Sequence, residues 1–568
     1  MHQPDNYRGI SLISTCCKIL TKIVANRVAS ISEENSLLRN EQAGFRRLEE
    51  CVAYATSLYE IARRRRLKGD ATYAAFLDFS KAYDRVPHRG LLCKLRTYGF
   101  HGKLLRVLEA MYENPRASVR IGNDRSDSFD YAIGVRQGCP ASPILFNLYI
   151  NDLLDGLSGV EIGGLTIPGL LFADDAVILA ESPQALQEDL NRIDEWCGRW
   201  KMSLNVSKCG VVVFGPEDGV QLSVSGSEIA MLSQYTYLGL PMTADLDLEA
   251  IVADRKEKAT SAYHSLRPFL LRRHVPAVIR AQIVRAVLVP IATYGCELYG
   301  MSSARLHPLQ RVIDRAIRDI LGCSSNYCRK AAYEELRIPS MALRGAKLRA
   351  RAITKWSSSR TTIGSLLCSP FKDRSATWMT GTQRWLKTLL HTTAPTGVRE
   401  AVSAVVTAMT TRLDATDRSR ISQFRRAHNL GCIIPLWKPV LRSPVKVAGM
   451  HMLSKMRVGM FYFAYRLAGA GIIDRRYLSE CPCCGEAVRE DAKHVFLTCG
   501  NWNDQRAQLL GDHINRFSNL QEDDLLGVLL GGESHVDANQ RVQVTVASVT
   551  YLSLIVPFRA RVIDTLVQ

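Results

Sequence analysis

Two neighbouring carboxylates, Asp174 and Asp175, interrupt the apolar segment at residues 170–180, which reads LLFADDAVILA. Strand-forming residues lie on both sides, so the pattern predicts a tight β-hairpin that carries the acids at its turn. An ionised carboxylate in apolar surroundings is costly unless a positive charge pairs with it. No Lys or Arg lies within the segment. The pattern therefore indicates either a divalent-cation site or, as the alternative, a solvated Asp-Asp turn.

A further acid, Asp78, directly follows the short apolar run at residues 73–77, which suits a central strand. Alone, Asp78 could simply cap the helix that follows. If its strand lies beside the hairpin, however, the carboxylates of Asp78 and Asp174 converge. Convergent acids can hold two divalent ions that activate an attacking oxygen and neutralise a leaving one. Mg²⁺ typically completes such a shell with water and substrate phosphates.

The segment at residues 134–154, GVRQGCPASPILFNLYINDLL, begins as a glycine-containing loop and continues as a helix. Ser142 is predicted to be the N-cap and Pro143 the first helical residue. The backbone donors of the turn at residues 137–142 would then face the space before a helix N-terminus, which suits a phosphate or a base edge. Together with the acids, this loop suits phosphoryl transfer from a nucleoside triphosphate.

Four metal-binding side chains, Cys481, Cys484, His494 and Cys499, follow one another near the C-terminus as C-x2-C-x9-H-x4-C. Such soft ligands suit a tetrahedral Zn²⁺ ion, and the zinc would be structural because the protein fills all four positions. Cys483 could replace Cys484 as a ligand. The alternative interpretation is a set of buried free cysteines beside a surface histidine.

The chain of 568 residues is strongly basic, with 73 Lys and Arg against 55 Asp and Glu and a net charge of +18 at pH 7. Such an excess favours a polyanionic partner, either nucleic acid or an anionic membrane. The N-terminus lacks the layout of a signal peptide. The longest uncharged apolar stretch, residues 542–558, is at the lower limit for a membrane span of ~20 residues. We predict a buried helix or strand pair there, no membrane partner, and a nuclear and cytoplasmic location.

Apolar periodicity predicts the helices that surround these motifs. Near the N-terminus, one helical face is predicted to carry Ile19, Ile23, Val24 and Val28. The clearest helix in the chain is predicted at residues 309–321, with a glycine at its end.

Basic residues cluster at two places along these helices. The four arginines at residues 63–66 are predicted to form either a solvated helix end or a contact to a phosphate backbone. Arg311, Arg315 and Arg318 form a stripe that is either a solvated face or a surface that follows a nucleic-acid backbone. Residues 357–396 are rich in Ser and Thr and are predicted to be a linker or a loosely packed region.

Seven motifs in one order carry a family resemblance. FLDFSKAYDRV, GVRQGCPASPILFNLYIND and FADD resemble the successive motifs of reverse transcriptases. YRGISL and NEQAGFR upstream, and SLNVSKC and YLGLP downstream, are similar to the flanking motifs of that family, although Gly9 stands where the family usually has proline. The sequences of these motifs most resemble those of non-LTR (LINE-type, Jockey-like) retrotransposon polymerases, and the Cys/His cluster resembles their C-terminal CCHC zinc knuckle.

The resemblance implies an α+β, right-hand polymerase: fingers and a palm with an antiparallel sheet, a helical thumb, and a helical, basic C-terminal region with a small zinc knuckle. It also implies that this chain is the C-terminal part of a longer polyprotein, with fingers truncated at the N-terminus. The expected segments are fingers and palm (1–241), thumb (242–356), linker and basic helical region (357–474), zinc knuckle (475–505) and C-terminal tail (506–568).

The same resemblance assigns roles to residues at matching positions. It makes Asp78, Asp174 and Asp175 the ligands of two Mg²⁺ ions, and Lys208 a proton donor to the leaving pyrophosphate. It implies that nucleotide binding involves Arg8, Arg46, Phe79, Tyr83, Gln137 and Gly138. The ring of Tyr83 would lie under the incoming sugar and clash with a 2′-hydroxyl, which favours deoxynucleotides. The alternative for Tyr83 is a core aromatic on the helix after the strand.

The function implied is that of an RNA-directed DNA polymerase that extends a DNA 3′ end along an RNA template, by target-primed reverse transcription on nicked chromosomal DNA. The expected partners are the RNA template, the DNA primer or target, and deoxynucleoside triphosphates. The first alternative is a truncated, non-polymerising remnant that only binds nucleic acid. A polymerase of the group II intron type is a weaker alternative, because the zinc cluster and the LINE-like motif sequences argue against it.

Overall fold

The computed structural model describes residues 9–216, 219, 221–323, 327–373, 375–391 and 397–567. Its strands are β1 (Thr72–Asp78), β2 (Arg116–Ala117), β3 (Arg120–Ile121), β4 (Asp124–Arg125), β5 (Phe129–Asp130), β6 (Val160–Ile162), β7 (Leu165–Ile167), β8 (Gly169–Phe172), β9 (Asp175–Ala180), β10 (Gly210–Phe214), β11 (Leu222–Val224), β12 (Ser227–Met231), β13 (Gln234–Tyr237) and β14 (Leu240–Thr243).

The helices before the last third of the chain are α1 (Thr15–Glu34), α2 (Cys51–Lys68), α3 (Ala82–Arg85), α4 (His88–Thr97), α5 (Gly102–Tyr112), α6 (Ser142–Ile150), α7 (Pro183–Trp200), α8 (Leu248–Leu270), α9 (Ala277–Ile283), α10 (Val289–Thr293), α11 (Cys296–Tyr299), α12 (Ser303–Leu321), α13 (Arg329–Leu336) and α14 (Met341–Trp356). They are followed by α15 (Thr362–Cys368), α16 (Trp378–Leu390), α17 (Val398–Thr416), α18 (Arg420–Ala427), α19 (Ile434–Trp437), α20 (Pro444–Arg457), α21 (Ala464–Gly469), α22 (Asn503–Arg516), α23 (Glu522–Leu529) and α24 (Ala538–Val567).

The longest apolar runs form one sheet with the order β11-β12-β10-β1-β9-β8 among the residues described. β1 pairs antiparallel with both β9 and β10, and β10 pairs parallel with β12. Every residue from Thr72 to Leu77 is buried, because helices cover the strand: α7 packs against β1 and β9, and α2 packs against β1, β8 and β10. The unbroken apolar run is typical of such a central strand. The predicted strand and the predicted α+β fold class are confirmed.

The two faces of β1 contact different groups. Tyr73, Ala75 and Leu77 lie in a core that also contains residues of α4 to α7. Ala74 and Phe76 alternate with them on the other face, where the Phe76 ring stacks on Tyr235 with 4.2 Å between ring centroids. Burial ends at Asp78, which is half-exposed, so the acid lies where the covered strand meets solvent.

Helix α1 differs from its predicted amphipathic face. Val24 and Val28 are buried, whereas Ile19 and Ile23 are 60% and 62% exposed. The predicted helix is confirmed, but these two isoleucines do not lie on its buried face. The buried stripe instead continues through smaller residues such as Ala25, because α1 packs against α6 along that narrower stripe.

The arginines at the end of α2 are also placed differently from the prediction. Arg64 and Arg65 are buried, Arg64 Nε lies 2.7 Å from a carboxylate oxygen of Glu60, and Arg65 pairs with Glu181. Arg66 is exposed. A solvated helix end is therefore right for Arg66, whereas Arg64 and Arg65 are held within the protein and are not available to a phosphate backbone.

The Ser/Thr-rich segment predicted to be a linker contains two helices in its described part. Both α15 and α16 pack against α2, and Leu366, Trp378 and Leu386 are buried. These few large apolar residues are sufficient to fix the segment, although its overall composition resembles a loop.

The chain divides into two compact units made of interleaved segments: Met1–Ile251, Glu297–Tyr299 and Leu348–Val405 in the first, and Val252–Cys296, Gly300–Lys347 and Val406–Gln568 in the second. The described elements of the second unit are helical. In it α12 buries every apolar position predicted for residues 309–321, and Gly322 ends it in the left-handed conformation. The five segments expected from the resemblance stay a prediction.

Helix α24 contains the apolar stretch at residues 542–558. By length and composition alone it could cross a membrane. It packs against α20, α22 and α23, and Val549, Leu552 and Ile555 are buried. Of the two structures predicted for this stretch, the buried helix is the one observed.

Candidate active site and metal centre

The register of the central sheet brings together acids that are far apart in the sequence. Asp78, the last residue of β1, lies directly opposite Asp175, the first residue of β9. Directly opposed residues of antiparallel strands project to the same face, with Cβ atoms ~5 Å apart. Phe172 pairs with Asp175 in the β8–β9 hairpin, so Ala173 and Asp174 form its turn. The predicted hairpin and the predicted neighbouring strands are confirmed, and carboxylate oxygens are ligands that Mg²⁺ prefers.

Lys208 lies beside this acidic edge. Its Nζ is 4.0 Å from Asp78 Oδ2, and both side chains reach solvent. The lysine ends a short 3-10 turn at Val206–Lys208, and the Asn205 backbone N–H before that turn donates to the Asp78 carbonyl at 2.8 Å. Phe79 is buried and forms a bridge with Leu204. The backbone around Asp78 therefore fixes where Lys208 stands.

Tyr83 is half-buried next to the hairpin. Its ring stacks on the Phe146 ring with centroids 4.5 Å apart. The Phe45 ring lies edge-on to the Tyr83 ring, with 6.4 Å between the centroids. Burial, together with the negative charge of Asp174, raises the pKa of Tyr83. Its hydroxyl is buried and has no hydrogen-bond partner in the described part of the chain. Tyr83 thus packs like a core aromatic while it lies close to Asp174, and the sugar-gate role stays a prediction.

Gln137 and Gly138 form the turn before α6. The Gln137 carboxamide N–H donates to Asp84 Oδ1 at 3.2 Å, and the Gln137 backbone carbonyl accepts from the Ser11 N–H at 2.7 Å. Gly138 has φ +107°, and a Cβ there would lie 3.1 Å from the Ser11 carbonyl oxygen. The backbone at this position is therefore one that glycine adopts most easily.

The start of α6 differs from the prediction. Ser142 is the first helical residue, with Ala141 at the N-cap position and no side-chain cap. The Ser142 hydroxyl instead donates to the Arg136 carbonyl at 2.8 Å. The prediction of Ser142 as N-cap is wrong, because this hydroxyl stabilises the preceding turn.

The two arginines expected to contact the triphosphate have different outcomes. Arg8 lies outside the described residues. The Arg46 side chain is 6% exposed and pairs with Glu33 at 2.7 Å, while its Nη1 donates to the carbonyls of Arg39 and Gln42 at 2.9 and 3.0 Å. A triphosphate would have to compete with these partners, and the assigned role of Arg46 stays a prediction.

Sequence reasoning gave no role to Tyr235, which lies close to the acids. Its ring stacks on Phe76, and its hydroxyl donates to the Lys208 carbonyl at 3.2 Å. Burial, with the negative charge of Asp78 and Asp175 as a smaller cause, raises the pKa of Tyr235 to about 12. The only signal in the sequence was its position two residues before the motif YLGLP.

The cysteine and histidine side chains of the second unit form a separate cluster. One ligand atom from each of Cys481, Cys484, His494 and Cys499 lies within 4.8 Å of the others. His494 Nε2 is 3.4 Å from the Cys484 sulfur, and its Nδ1 lies 2.9 Å from the Thr498 hydroxyl. A partner on the second ring nitrogen is typical of metal-binding histidines. Four soft donors around a common point fit a zinc ion.

Cys483, the alternative ligand, belongs to a second group with Cys481 and Glu490. The Glu490 carboxylate is buried and accepts two hydrogen bonds of 2.6 Å from Arg559. It also accepts the Ala464 N–H at 2.6 Å. Because Glu490 is committed to Arg559, the group with Cys484 and His494 is the better donor set.

Comparisons with known proteins agree with this geometry. Residues 2–242 match the family model described as reverse transcriptase (RNA-dependent DNA polymerase). The RNA-directed DNA polymerase from mobile element jockey of Drosophila funebris is 26% identical over 372 residues, which are 61% of this chain and 38% of that protein. The probable RNA-directed DNA polymerase from transposon BS of Drosophila melanogaster is 28% identical over 56% of this chain and 36% of its own length. This chain thus spans less than two fifths of these relatives.

Among solved structures, the telomerase from Candida albicans is similar with a TM-score of 0.33 and 13% identity, over 63% of this chain and 59% of that one. A similarity this low carries no argument about the present site. The family match, the relatives and the ordered motifs agree. The segment from residue 2 to residue 242 belongs to the reverse transcriptase family, and the chain is a relative of the proteins of LINE-type, non-LTR retrotransposons.

Proposed function

We propose that this chain is an RNA-directed DNA polymerase, which extends a DNA 3′ end along an RNA template with deoxynucleoside triphosphates. The observation that carries the proposal is the pairing of Asp78 with Asp175 across β1 and β9, with Asp174 at the adjoining turn. The alternative, a remnant that only binds nucleic acid, is not favoured, because a binding surface alone does not require acids gathered at one sheet edge.

Asp78, Asp174 and Asp175 would hold two Mg²⁺ ions, which supply activation of the attacking oxygen and neutralisation of the leaving group. Lys208, exposed and 4.0 Å from Asp78, would hold a proton for the departing pyrophosphate. The turn at Gln137 and Gly138 would line the nucleotide pocket. These roles assign the chemistry to the metal ions and the positioning to the protein.

The second unit offers a basic cavity that fits the expected nucleic-acid partner. This cavity of about 430 Å³ is lined by Arg267, Arg315 and Arg318 among other residues. Arg267 already lies 3.4 Å from Asp319, whereas no ion pair is found for Arg315 or Arg318 in the part of the chain described. With the net charge of +18, this cavity would contact a phosphate backbone. The Cys/His cluster, with structural Zn²⁺, would contact RNA or target DNA, and the primer would be nicked chromosomal DNA.

Primer extension on an RNA template with the purified chain tests the proposal. We expect a DNA product that requires Mg²⁺ and deoxynucleotides and that disappears with EDTA. The control reaction omits the primer. RNA binding with a steep salt dependence but without any Mg²⁺-dependent product would contradict the proposal and support the binding-only remnant.

Tyr83 gives a prediction about sugar selection. Replacing Tyr83 with valine removes the ring beside Asp174, so a 2′-hydroxyl no longer meets a steric obstacle. We expect incorporation of ribonucleotides relative to deoxynucleotides to rise by roughly 10- to 100-fold, the discrimination that one steric contact supplies. Single-nucleotide incorporation with both substrates measures this ratio.

The matched control for this prediction is Tyr131→Val, which changes a tyrosine of the same unit that lies beside His88. If Tyr83→Val leaves the ratio unchanged while it lowers the melting temperature, Tyr83 is a core aromatic and the gate role is wrong.

A further inference from the structure

The motif NEQAGFR packs directly against the hairpin that carries Asp174. The Leu171 N–H donates to the Glu41 carbonyl at 2.8 Å, and the Ala43 N–H donates to the Leu171 carbonyl at 2.9 Å. Gln42 and Leu171 thereby form a parallel bridge outside the named strands. The loop at residues 41–44 therefore extends the sheet by one residue beside β8.

The Gln42 side chain continues this contact to the turn itself. It is completely buried, and its Oε1 accepts from the Ala173 N–H at 3.1 Å and from the Gly44 N–H at 2.8 Å. Ala173 has φ +58°, in the left-handed region that is unfavourable for a residue with a side chain. Its neighbour in the turn is Asp174. One carboxamide oxygen thus holds the N–H of the unfavourable residue that precedes the acid.

Gly44 allows the loop to approach this closely. A Cβ on Gly44 would lie 2.1 Å from the Ala173 nitrogen, so the two backbones are in direct contact. The Asn147 side chain of α6 donates to the Gly44 carbonyl. Arg46 fixes the other end of the loop, because its guanidinium joins Glu33 to the Gln42 carbonyl. The position of the Gln42 oxygen is therefore determined from both sides.

We infer that Gln42 is a positioning residue for the proposed polymerase: it holds Ala173 in the left-handed conformation and so fixes the direction of the Asp174 carboxylate. The expected effect on activity rests on the proposed function, whereas the role of Gln42 in holding the turn rests on the contacts described above. Gln42 does not touch a reacting atom in this assignment. It acts through the turn, and the group it needs is an acceptor oxygen rather than a charge.

The variant Gln42→Met keeps the length of the side chain and removes the acceptor. We expect its half-saturating Mg²⁺ concentration in primer extension to rise, and kcat at fixed Mg²⁺ to fall, by about 10- to 100-fold, as is typical when a group that orients a metal ligand is lost. KM for the template–primer should not change, because Gln42 contacts no substrate. Gln42→Glu, which keeps an oxygen at this position, should recover most of both losses.

A second substitution tests the role of the turn independently. Glycine adopts positive φ without a steric penalty, so Ala173→Gly should restore much of the activity of Gln42→Met. A general packing role for Gln42 would not be rescued in this way. Gln187→Leu is the control. The Gln187 side chain also hydrogen-bonds backbone groups of the same unit, but these belong to Ser223, away from the Ala173 turn.

Mn²⁺ binding provides a readout that does not need catalysis. It is measured by the decrease in the EPR signal of free Mn²⁺. We expect weaker Mn²⁺ binding in Gln42→Met than in the wild type, with Asp174→Ala as the reference for a lost ligand and thermal unfolding as the check on folding. Unchanged metal dependence in folded Gln42→Met, or failure of both Gln42→Glu and Ala173→Gly to rescue, would overturn the inference. An inactive wild type that shows the Mn²⁺ difference would instead refute only the proposed function.

Discussion

Asp174→Ala is expected to abolish RNA-templated DNA synthesis, with a loss of roughly 10³-fold or more, the scale seen when one member of a catalytic group that acts as a unit is removed. The substitution takes away the carboxylate at the turn of the β8–β9 hairpin, next to the pair of Asp78 and Asp175. Asp78 and Asp175 cannot compensate for the lost ligand, because their few carboxylate oxygens would have to coordinate both metal ions. Primer extension at saturating Mg²⁺ measures the loss.

The isosteric variant Asp174→Asn separates charge from shape, since it keeps the side-chain volume and should be nearly as inactive. Glu195→Gln is the matched control: it removes an exposed acid of α7 in the same unit, and we expect wild-type rates. Synthesis by Asp174→Ala at the wild-type rate, with the control also active, would show that these acids do not carry the reaction.

The hairpin and its acids were predictable because a local pattern and a chemical requirement agree there. An apolar run broken by two aspartates can form a strand on each side, and the resemblance to reverse transcriptases implied that Asp78 shares metal ions with those acids. The register that places Asp78 opposite Asp175 adds a fact that spacing alone does not contain, because many registers would have brought the same strands together.

One wrong prediction concerns a residue with a partner that lies far away in the sequence. Arg64 stands in a run of four arginines that locally resembles a solvated helix end. Its guanidinium in fact donates to the Leu366 carbonyl at 3.0 Å, in a segment whose composition predicted a linker. A local charge pattern indicates which helix face is polar. It cannot predict that the Leu366 carbonyl, about three hundred residues later in the sequence, lies next to Arg64.

Gln42 and Arg46 illustrate the same limit at the site itself. The motif NEQAGFR is expected to provide a cation for the triphosphate, and that role of Arg46 stays a prediction. In the structure, Arg46 joins Glu33 to the backbone of its own loop. The functional consequence of this motif, in our inference, passes through the Ala173 turn. A polar side chain that acts by accepting a backbone N–H has no periodic or compositional signature, so only the fold reveals it.

Cys499→Ser is expected to abolish binding of the proposed structural zinc and to destabilise the second unit. Structural zinc contributes folding free energy directly, with apparent binding free energies of about 10–16 kcal/mol in zinc-finger peptides. Only part of this is lost when a packed core remains, so we expect a cost of about 4 kcal/mol or more. For a unit of this size, that lowers Tm by roughly 10 °C. Elemental analysis and calorimetry measure zinc content and Tm, with one zinc per chain expected in the wild type.

Two further cysteines separate a ligand from a buried thiol. Cys328→Ser changes a half-buried cysteine of the same unit outside the cluster, and it should keep both zinc and Tm. Cys483→Ser should also keep the zinc, because Glu490, which forms the alternative group with Cys481 and Cys483, is held by Arg559. Loss of zinc from Cys483→Ser but not from Cys484→Ser would exchange the two ligands. If Cys499→Ser and His494→Ala both kept a full complement of zinc, the four residues would not form a metal site, and their proximity would reflect packing alone.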